Sequence, residues 1–346
     1  MPEQDSSRSY KQIGETLLFV QQIMTSYLHA QPVDSVCFSP DGTLLASAAS
    51  DDCVRLWDVA ERKPLSILEG RTGAATPSQV SFSADSKLLA ASVGGEIVQL
   101  WTSDGKTLAE LSGHDPGPTE AVFSPKGRLL ASGDLTGRVR LWDAVTRQVL
   151  CSFVATPLRQ IEGLERHGIG VHSFAFTPDG MRLALNCQDT RGRVQVWDLQ
   201  YPELQVTWAG SLLEPSVDIW MQSFSPDGRV LALAGLNRKV VWLFNAYSLA
   251  LEETLQIPDD FAKALAFSPD GRFLATAGAA GTVWIWELSS RQIVGSFAAH
   301  PEGPDYRENA QEWALGDMDW SSDGRYLVTC GRDPYTVKLW KVQIRI

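Results

Sequence analysis

Five histidines, at positions 29, 114, 167, 172 and 300, are the side chains of this 346-residue chain best suited to moving protons or binding a metal. His167 and His172 flank the glycines of one stretch and form a conceivable metal pair, but no third ligand is evident. The run Asp317-Met318-Asp319-Trp320-Ser321-Ser322-Asp323-Gly324 contains the D-x-S-x-D-G start of a calcium loop. Such a loop needs a bidentate Glu at its twelfth position, and that position holds Cys330. An ordinary turn accounts for Ser-Ser-Asp-Gly. The sequence has no HExxH, GxSxG, GxxxxGK or Rossmann glycine pattern. Its five cysteines, Cys37, Cys53, Cys151, Cys187 and Cys330, form no CxxC pair and are odd in number. Neither a zinc site nor a full disulfide framework is indicated. No catalytic residue, cofactor or metal is expected.

Bulk properties narrow the class further. The net charge of −11 argues against a nucleic-acid surface, which relies on clustered Lys and Arg. Leu17-Leu18-Phe19-Val20 is apolar, but Gln21-Gln22 interrupts it and Glu15 precedes it, so it does not make a secretory signal. No stretch reaches the roughly 18 apolar residues of a membrane span. A soluble chain in the reducing cytoplasm is expected.

The chemistry-bearing residues fall within a repeat. An apolar strand ends in an aromatic, a turn close to Ser-Pro-Asp-Gly follows, and then a small-residue strand such as Leu44-Leu45-Ala46-Ser47-Ala48. The aromatics Phe38, Phe82, Phe123, Phe176, Phe224, Phe267 and Trp320 are followed by Trp57, Trp101, Trp142, Trp197, Phe244, Trp286 and Trp340. The offsets are 19, 19, 19, 21, 20, 19 and 20 residues, too regular for chance. In the turn, Pro presets φ, Asp bonds its own backbone and Gly accepts left-handed geometry. Four short strands per unit of about 40–45 residues predict a propeller blade. The expected fold is therefore all-β: one domain, 1–346, of seven four-stranded antiparallel blades beginning near 33, 77, 118, 171, 219, 262 and 315.

These residues resemble the WD-repeat family over about 28–342, with Trp-Asp itself at Trp57-Asp58, Trp142-Asp143 and Trp197-Asp198. The resemblance implies a hydrogen-bonded tetrad of His, Ser or Thr, Asp and Trp that braces a blade. Blade 1 keeps it as His29, Ser47, Asp51 and Trp57. His114 and His167 occupy the same place in blades 3 and 4, while Gly73, Pro215 and Pro258 replace His in blades 2, 5 and 6. In blade 3, the position matching Asp51 is Thr136, so that blade is expected to lack its acid. The family also closes its ring by lending an N-terminal strand to the last blade. Residues 15–28 are expected to do so here, although Tyr10, Ile13, Leu17, Val20, Met24 and Tyr27 also fit a helical period.

Function is sought where the units differ. Steps between first aromatics of 53, 48 and 53 residues, into Phe176, Phe224 and Trp320, place extra chain mainly between blades. Such loops on a rigid scaffold are where binding surfaces sit. The 298–317 loop carries net charge −4 with Asp305, Tyr306, Glu308 and Trp313, and the preceding inter-blade loop holds Asp259 and Asp260. Tyr335 adds an aromatic in a shorter loop. These seven residues are the candidate partner-binding set. The reading is a monomeric, non-catalytic interaction scaffold that grips a Lys/Arg-rich segment of a partner protein, with neither nucleic acid nor membrane as its target. An enzyme using the central channel, or a sensor subunit of a larger signalling assembly, are the alternatives.

Overall fold

A computed structural model describes residues 8–13, 16–69, 79–93, 96–114, 118–155, 170–187, 193–212, 219–235, 238–258, 261–278, 280–301, 314–332 and 335–345. All the regular elements are antiparallel strands, gathered into seven sheets. The blades span 33–69, 80–112, 118–154, 171–212, 219–256, 262–298 and 315–345. The first strand of each blade touches those of its two neighbours, so the first strands close a ring. This is a seven-bladed β-propeller.

The repeat's chemistry sets each blade. In blade 1, Ser39 Oγ donates to Asp41 at 2.6 Å, and the same oxygen accepts the Leu44 N–H at 2.9 Å. Gly42, at φ +73°, completes the turn. Equivalent Ser/Thr-to-Asp bonds recur at Asp85, Asp179, Asp227, Asp270 and Asp323. Second strands such as Leu44–Ala49 and Leu129–Asp134 are buried almost throughout, because small side chains let neighbouring sheets close on both faces.

The last blade departs from the four-stranded expectation. Thr16–Ser26 pairs with Val337–Arg345 and takes the fourth place in blade 7, which excludes the helical alternative. Tyr27 and Leu28 lie beyond the strand and are exposed. A further strand, Arg8–Ile13, then folds back on Thr16–Ser26 and gives blade 7 a fifth member. Leu18 and Val20 are buried in the apolar cluster shared by blades 6 and 7, alongside Val294, Phe297 and Val342. Leu18 lies against Gly295, where a Cβ would collide with it.

Removing residues 1–28 should therefore uncover the edge of Val337–Arg345 and part of this cluster, producing aggregation or a large drop in melting temperature. Leu18→Ala alone should cost about 2–5 kcal/mol in a urea melt. An unchanged melt for both would break the link between the N-terminal strand and ring closure.

Candidate interaction face and its supporting braces

The structure brings His29, Ser47, Asp51 and Trp57 together. His29 Nδ1 lies 3.1 Å from Asp51, His29 Nε2 lies 2.8 Å from Ser47 Oγ, and Trp57 Nε1 donates to the same Ser47 oxygen at 3.0 Å. Nδ1 faces both the Asp51 carboxylate and the Arg55 guanidinium, 2.5 Å away, and Arg55 donates to that same carboxylate, so ring, acid and cation form one cluster. Burial, and next the adjacent Arg55 guanidinium, hold the His29 pKa down at about 4, so the ring is neutral.

Blade 3 corrects the expectation of a missing acid. Its brace is complete, with His114 Nδ1 2.8 Å from Asp134 and Trp142 Nε1 2.7 Å from Ser132 Oγ. Asp134 comes two residues after the hydroxyl, whereas Asp51 comes four after Ser47. The second strand of blade 3 runs on to Asp134 itself, so the carboxylate reaches His114 from the strand end. Thr136 serves Asp134 instead, donating to it through N–H and hydroxyl. Blade 7 holds a brace that spacing concealed. His300 Nε2 lies 2.9 Å from Thr329 Oγ1, which also accepts from Trp340, and Thr336 stands where the acid would be. Twenty residues separate His300 from Trp320, instead of nine, because the long inter-blade loop follows the histidine. Blade 6, with Pro258 in place of His, keeps only the bond from Trp286 to Thr276. His167, Gly73 and Pro215 lie outside the described residues.

A fifth member accompanies each histidine brace. Two residues before the Trp stand Arg55, Arg140 and Lys338 in blades 1, 3 and 7. Arg55 donates to Asp51 at 2.8 Å, Arg140 to the Gly113 carbonyl, and Lys338 to the Ala299 carbonyl at 2.9 Å. Arg140 and Lys338 tie the third strand to the connection carrying the histidine, and Arg55 meets His29 itself, 2.5 Å from Nδ1. In blades 2 and 4 the position holds Gln99 and Gln195, and in blades 5 and 6 Trp242 and Trp284. The signal was present in the sequence as a cation confined to these three blades.

At the start of the first strands, six blades carry a β-bulge in the same place. It skips Asp34, Thr119, His172, Trp220 and Lys263 in blades 1, 3, 4, 5 and 6, and Gly316 with Asp317 in blade 7. A bulge re-aims side chains out of the ladder, so one end of the ring gains a set of residues from different blades. His172 is exposed there, Lys263 lies 3.5 Å over the Trp220 ring, and Arg332 pairs with Asp34 at 3.1 Å. Burial lowers the Lys263 pKa well below its usual range. Tyr335, expected as an exposed anchor, is half-buried against the apolar cluster of Val33, Val328 and Val337. Trp208 stands exposed on the outer strand of blade 4. Asp259, Asp260, Asp305, Tyr306, Glu308 and Trp313 lie outside the described residues.

The repeat is matched by a known family model, "WD domain, G-beta repeat", at residues 21–58, 105–143, 253–287 and 309–341. The chain is a WD-repeat protein. Among its relatives, actin-interacting protein 1 of Drosophila melanogaster is 26% identical over 229 residues, covering 65% of this chain and 33% of that protein. Transducin beta-like protein 3 of Rattus norvegicus is 28% identical over 183 residues, 50% of this chain and 21% of that protein. Transcription initiation factor TFIID subunit 5 of Caenorhabditis elegans is 28% identical over 223 residues, 61% of this chain and 30% of that protein. The WD-repeat chain thus spans between a fifth and a third of these relatives' length.

Several polar residues of this propeller's first strands have a task that the sequence did not reveal. They accept backbone N–H groups of the next blade. Asp317 accepts from Val36 at 3.2 Å and Asp319 from Phe38 at 2.9 Å, across the seam between blades 7 and 1. Ser35 accepts from Val80 and Ser81 from Phe123 at the next two seams. The carboxyl of Glu120 accepts from Phe174 at the seam after those, and its pKa is raised far above the usual carboxylate range by burial. The three acids of the calcium-like run thus have separate partners, Asp323 being held within its own turn. Among the described residues, no group of three His, Cys, Asp or Glu is arranged to hold a metal ion. Among the same described residues, no helix is long and apolar enough to cross a membrane.

Two tests follow from these contacts. Asp51→Ala and Asp134→Ala should each cost about 1–3 kcal/mol in chemical melts, by taking the carboxylate partner from a buried hydrogen-bonded group. Thr136→Ala should cost clearly less, and equal losses would contradict the assignment of Asp134. The second test is electrostatic. Burial raises the Asp319 pKa to about 7 and that of Asp317 to about 6. Between the ordinary carboxylate pKa and these values the folded chain binds more protons than the unfolded one, so this contribution to stability is lost as pH rises. His29 and His300, held at about 4 and about 3 mainly by burial, act in the opposite sense and lose stability as pH falls below about 6.5. Asp319→Asn isolates one contribution. Wild type minus variant stability should fall by on the order of 1 kcal/mol or more from pH 5 to pH 8, since each pKa unit is worth about 1.4 kcal/mol. A pH-independent difference would show that the carboxyl is not held protonated by its surroundings.

Proposed function

We propose that this WD-repeat propeller is a non-catalytic scaffold in the cytoplasm, acting as a monomer and gripping a Lys/Arg-rich segment of a partner protein at the end of the ring where the bulged residues lie. The observation that carries the reading is the recurrent bulge, which delivers residues of six blades to one end of a rigid frame. The inter-blade connections bearing Asp259, Asp260, Asp305 and Glu308 begin and end at this same end of the blades, and the net charge of −11 favours a basic partner. Of the cations at this end, Lys263 is buried over Trp220, and Arg332 is paired with Asp34. Relatives named for interacting with actin, or as a subunit of TFIID, fit a role in assembly. Five free cysteines, two of them fully buried, fit a reducing compartment.

Proteins captured from native lysate on immobilised chain, identified by mass spectrometry, supply the partner. Trp313→Ala should weaken its binding by about 2 kcal/mol or more, the scale of an interface anchor, with the melting curve unchanged. Reversing Asp305 and Glu308 to Lys should mainly slow association, and the loss should shrink at high salt. Unchanged affinity in both variants would remove this face as the binding site.

A further inference from the structure

The opposite end of the ring carries a second surface, built where blade 3 breaks the repeat. Six blades place an acid at the third position of the turn between first and second strands: Asp41, Asp85, Asp179, Asp227, Asp270 and Asp323. Blade 3 places Lys126 there, followed by Gly127 and Arg128, and all three are exposed. Beside this turn a groove of about 430 Å³ runs between blades 3 and 4, with Leu129 in its lining and Leu150, Met181 and Tyr201 exposed along it. Leu150 is the skipped residue of a bulge in the outer strand of blade 3. Tyr201 follows the third strand of blade 4, Arg193–Gln200, which is two residues longer than its blade 3 counterpart, Arg138–Asp143. Large apolar side chains gathered this way on a water-facing surface mark a contact site.

The charges of the groove select the occupant. Asp143 and Asp179 also line it, each with one carboxylate oxygen taken up inside its own turn. Hydrogen bonds of the turn, and then a groove cation, lower each pKa: Arg128 acts on Asp143 and Lys126 on Asp179. Asp143 accepts the N–H groups of Val145 and Thr146, and Asp179 accepts from Thr177 and Met181. Lys126 and Arg128 make no ion pair within 4 Å among the described residues, and both residues are exposed. In a chain of net charge −11, this groove sets two exposed cations beside two turn-bound acids around an apolar floor, where the matching turns of the other six blades carry an acid and no such cation at the third position.

We propose that the groove between blades 3 and 4 docks an acidic segment of a partner protein, seated by an apolar or aromatic side chain between Leu150, Met181 and Tyr201 and held by its carboxylates on Lys126 and Arg128. The site is independent of the basic segment proposed for the other end of the ring. The two ends can therefore hold different partners at once.

The probe is a random 12-residue peptide library displayed on phage, panned on the full chain and counter-selected on a Lys126→Asp/Arg128→Ser variant. Lys126→Asp restores the turn acid of the other six blades, so this variant should keep its fold, which a melting curve verifies. Met181→Ser provides a second, uncharged disruption. The expected result is enrichment of peptides combining Asp or Glu with Leu, Phe or Trp. Synthetic copies should lose at least tenfold in affinity with either variant, and should be indifferent to Asp305→Lys/Glu308→Lys. Enrichment of basic peptides, or no population sensitive to both variants, would overturn the proposal. So would a dimer seen by sedimentation that the same variants dissolve, since the groove would then be filled by a second copy of this chain.

Discussion

The structure depends on one seam. A propeller is a ring of separate sheets, and the chain must join the last to the first without a covalent link between them. Here the join is made by buried carboxyls and strand pairing together. Asp317 and Asp319 of blade 7 accept the Val36 and Phe38 N–H groups of blade 1. Cys330 Sγ lies 3.3 Å from the Val33 carbonyl, and Gly316 leaves room for that carbonyl, which any Cβ at this position would strike. On the outside, Thr16–Ser26 supplies the strand that blade 7 lacks. Two buried carboxyls near each other carry a desolvation cost, and the backbone donors of blade 1 offset part of it. A ring opened here would release both ends of the propeller from their fixed spacing.

Within the blades, rigidity comes from two sources. Blades 1, 3 and 7 use a histidine brace, and each adds a cation that reaches the histidine or its connection. Blade 1 and blade 7 flank the seam, so two of the three braces stand where closure is decided. The other blades lean on packing: Phe153 of blade 3 meets Trp197 of blade 4 at 4.5 Å between ring centroids, and Leu185 replaces the hydroxyl that a brace would need. The same frame fixes both proposed surfaces. The bulges aim residues at one end because six of the seven first strands start five residues before their aromatic, and the groove exists because blades 3 and 4 are held side by side.

The parts of this architecture that were legible from sequence are those determined within a few residues. The aromatic spacing, the turn chemistry and the small-residue strands are local, so they repeat visibly and give the seven blades. Contacts set by strand ends were harder. Both second strands end two residues after the hydroxyl, at Ala49 and Asp134, but blade 3 carries its acid on that last strand residue and blade 1 carries it in the turn beyond, a difference that a fixed offset cannot express. His300 was hidden by a loop inserted after it. The carboxyls of Asp317, Asp319 and Glu120 look like surface or metal-loop acids in sequence, since their partners lie in another blade. The strand Arg8–Ile13 follows no blade period and was not anticipated. Of the candidate binding residues, only Tyr335 is among those described, and its packing against Val33 and Val337 gives it a structural task. What the sequence carried toward function was the departure of particular loops and turns from the repeat, and Lys126 is the clearest case.

Hydrogen–deuterium exchange, resolved by peptide on the full chain, tests the central claim most directly. If Thr16–Ser26 is the strand that seals the ring, its amides should exchange as slowly as those of Val337–Arg345, since opening one requires opening the other. The Val36 and Phe38 amides, held by Asp317 and Asp319, should belong to the same slow group. Exchange of 16–26 within seconds while 337–345 stays protected would contradict the account, because the propeller would then be stable with its ring unsealed.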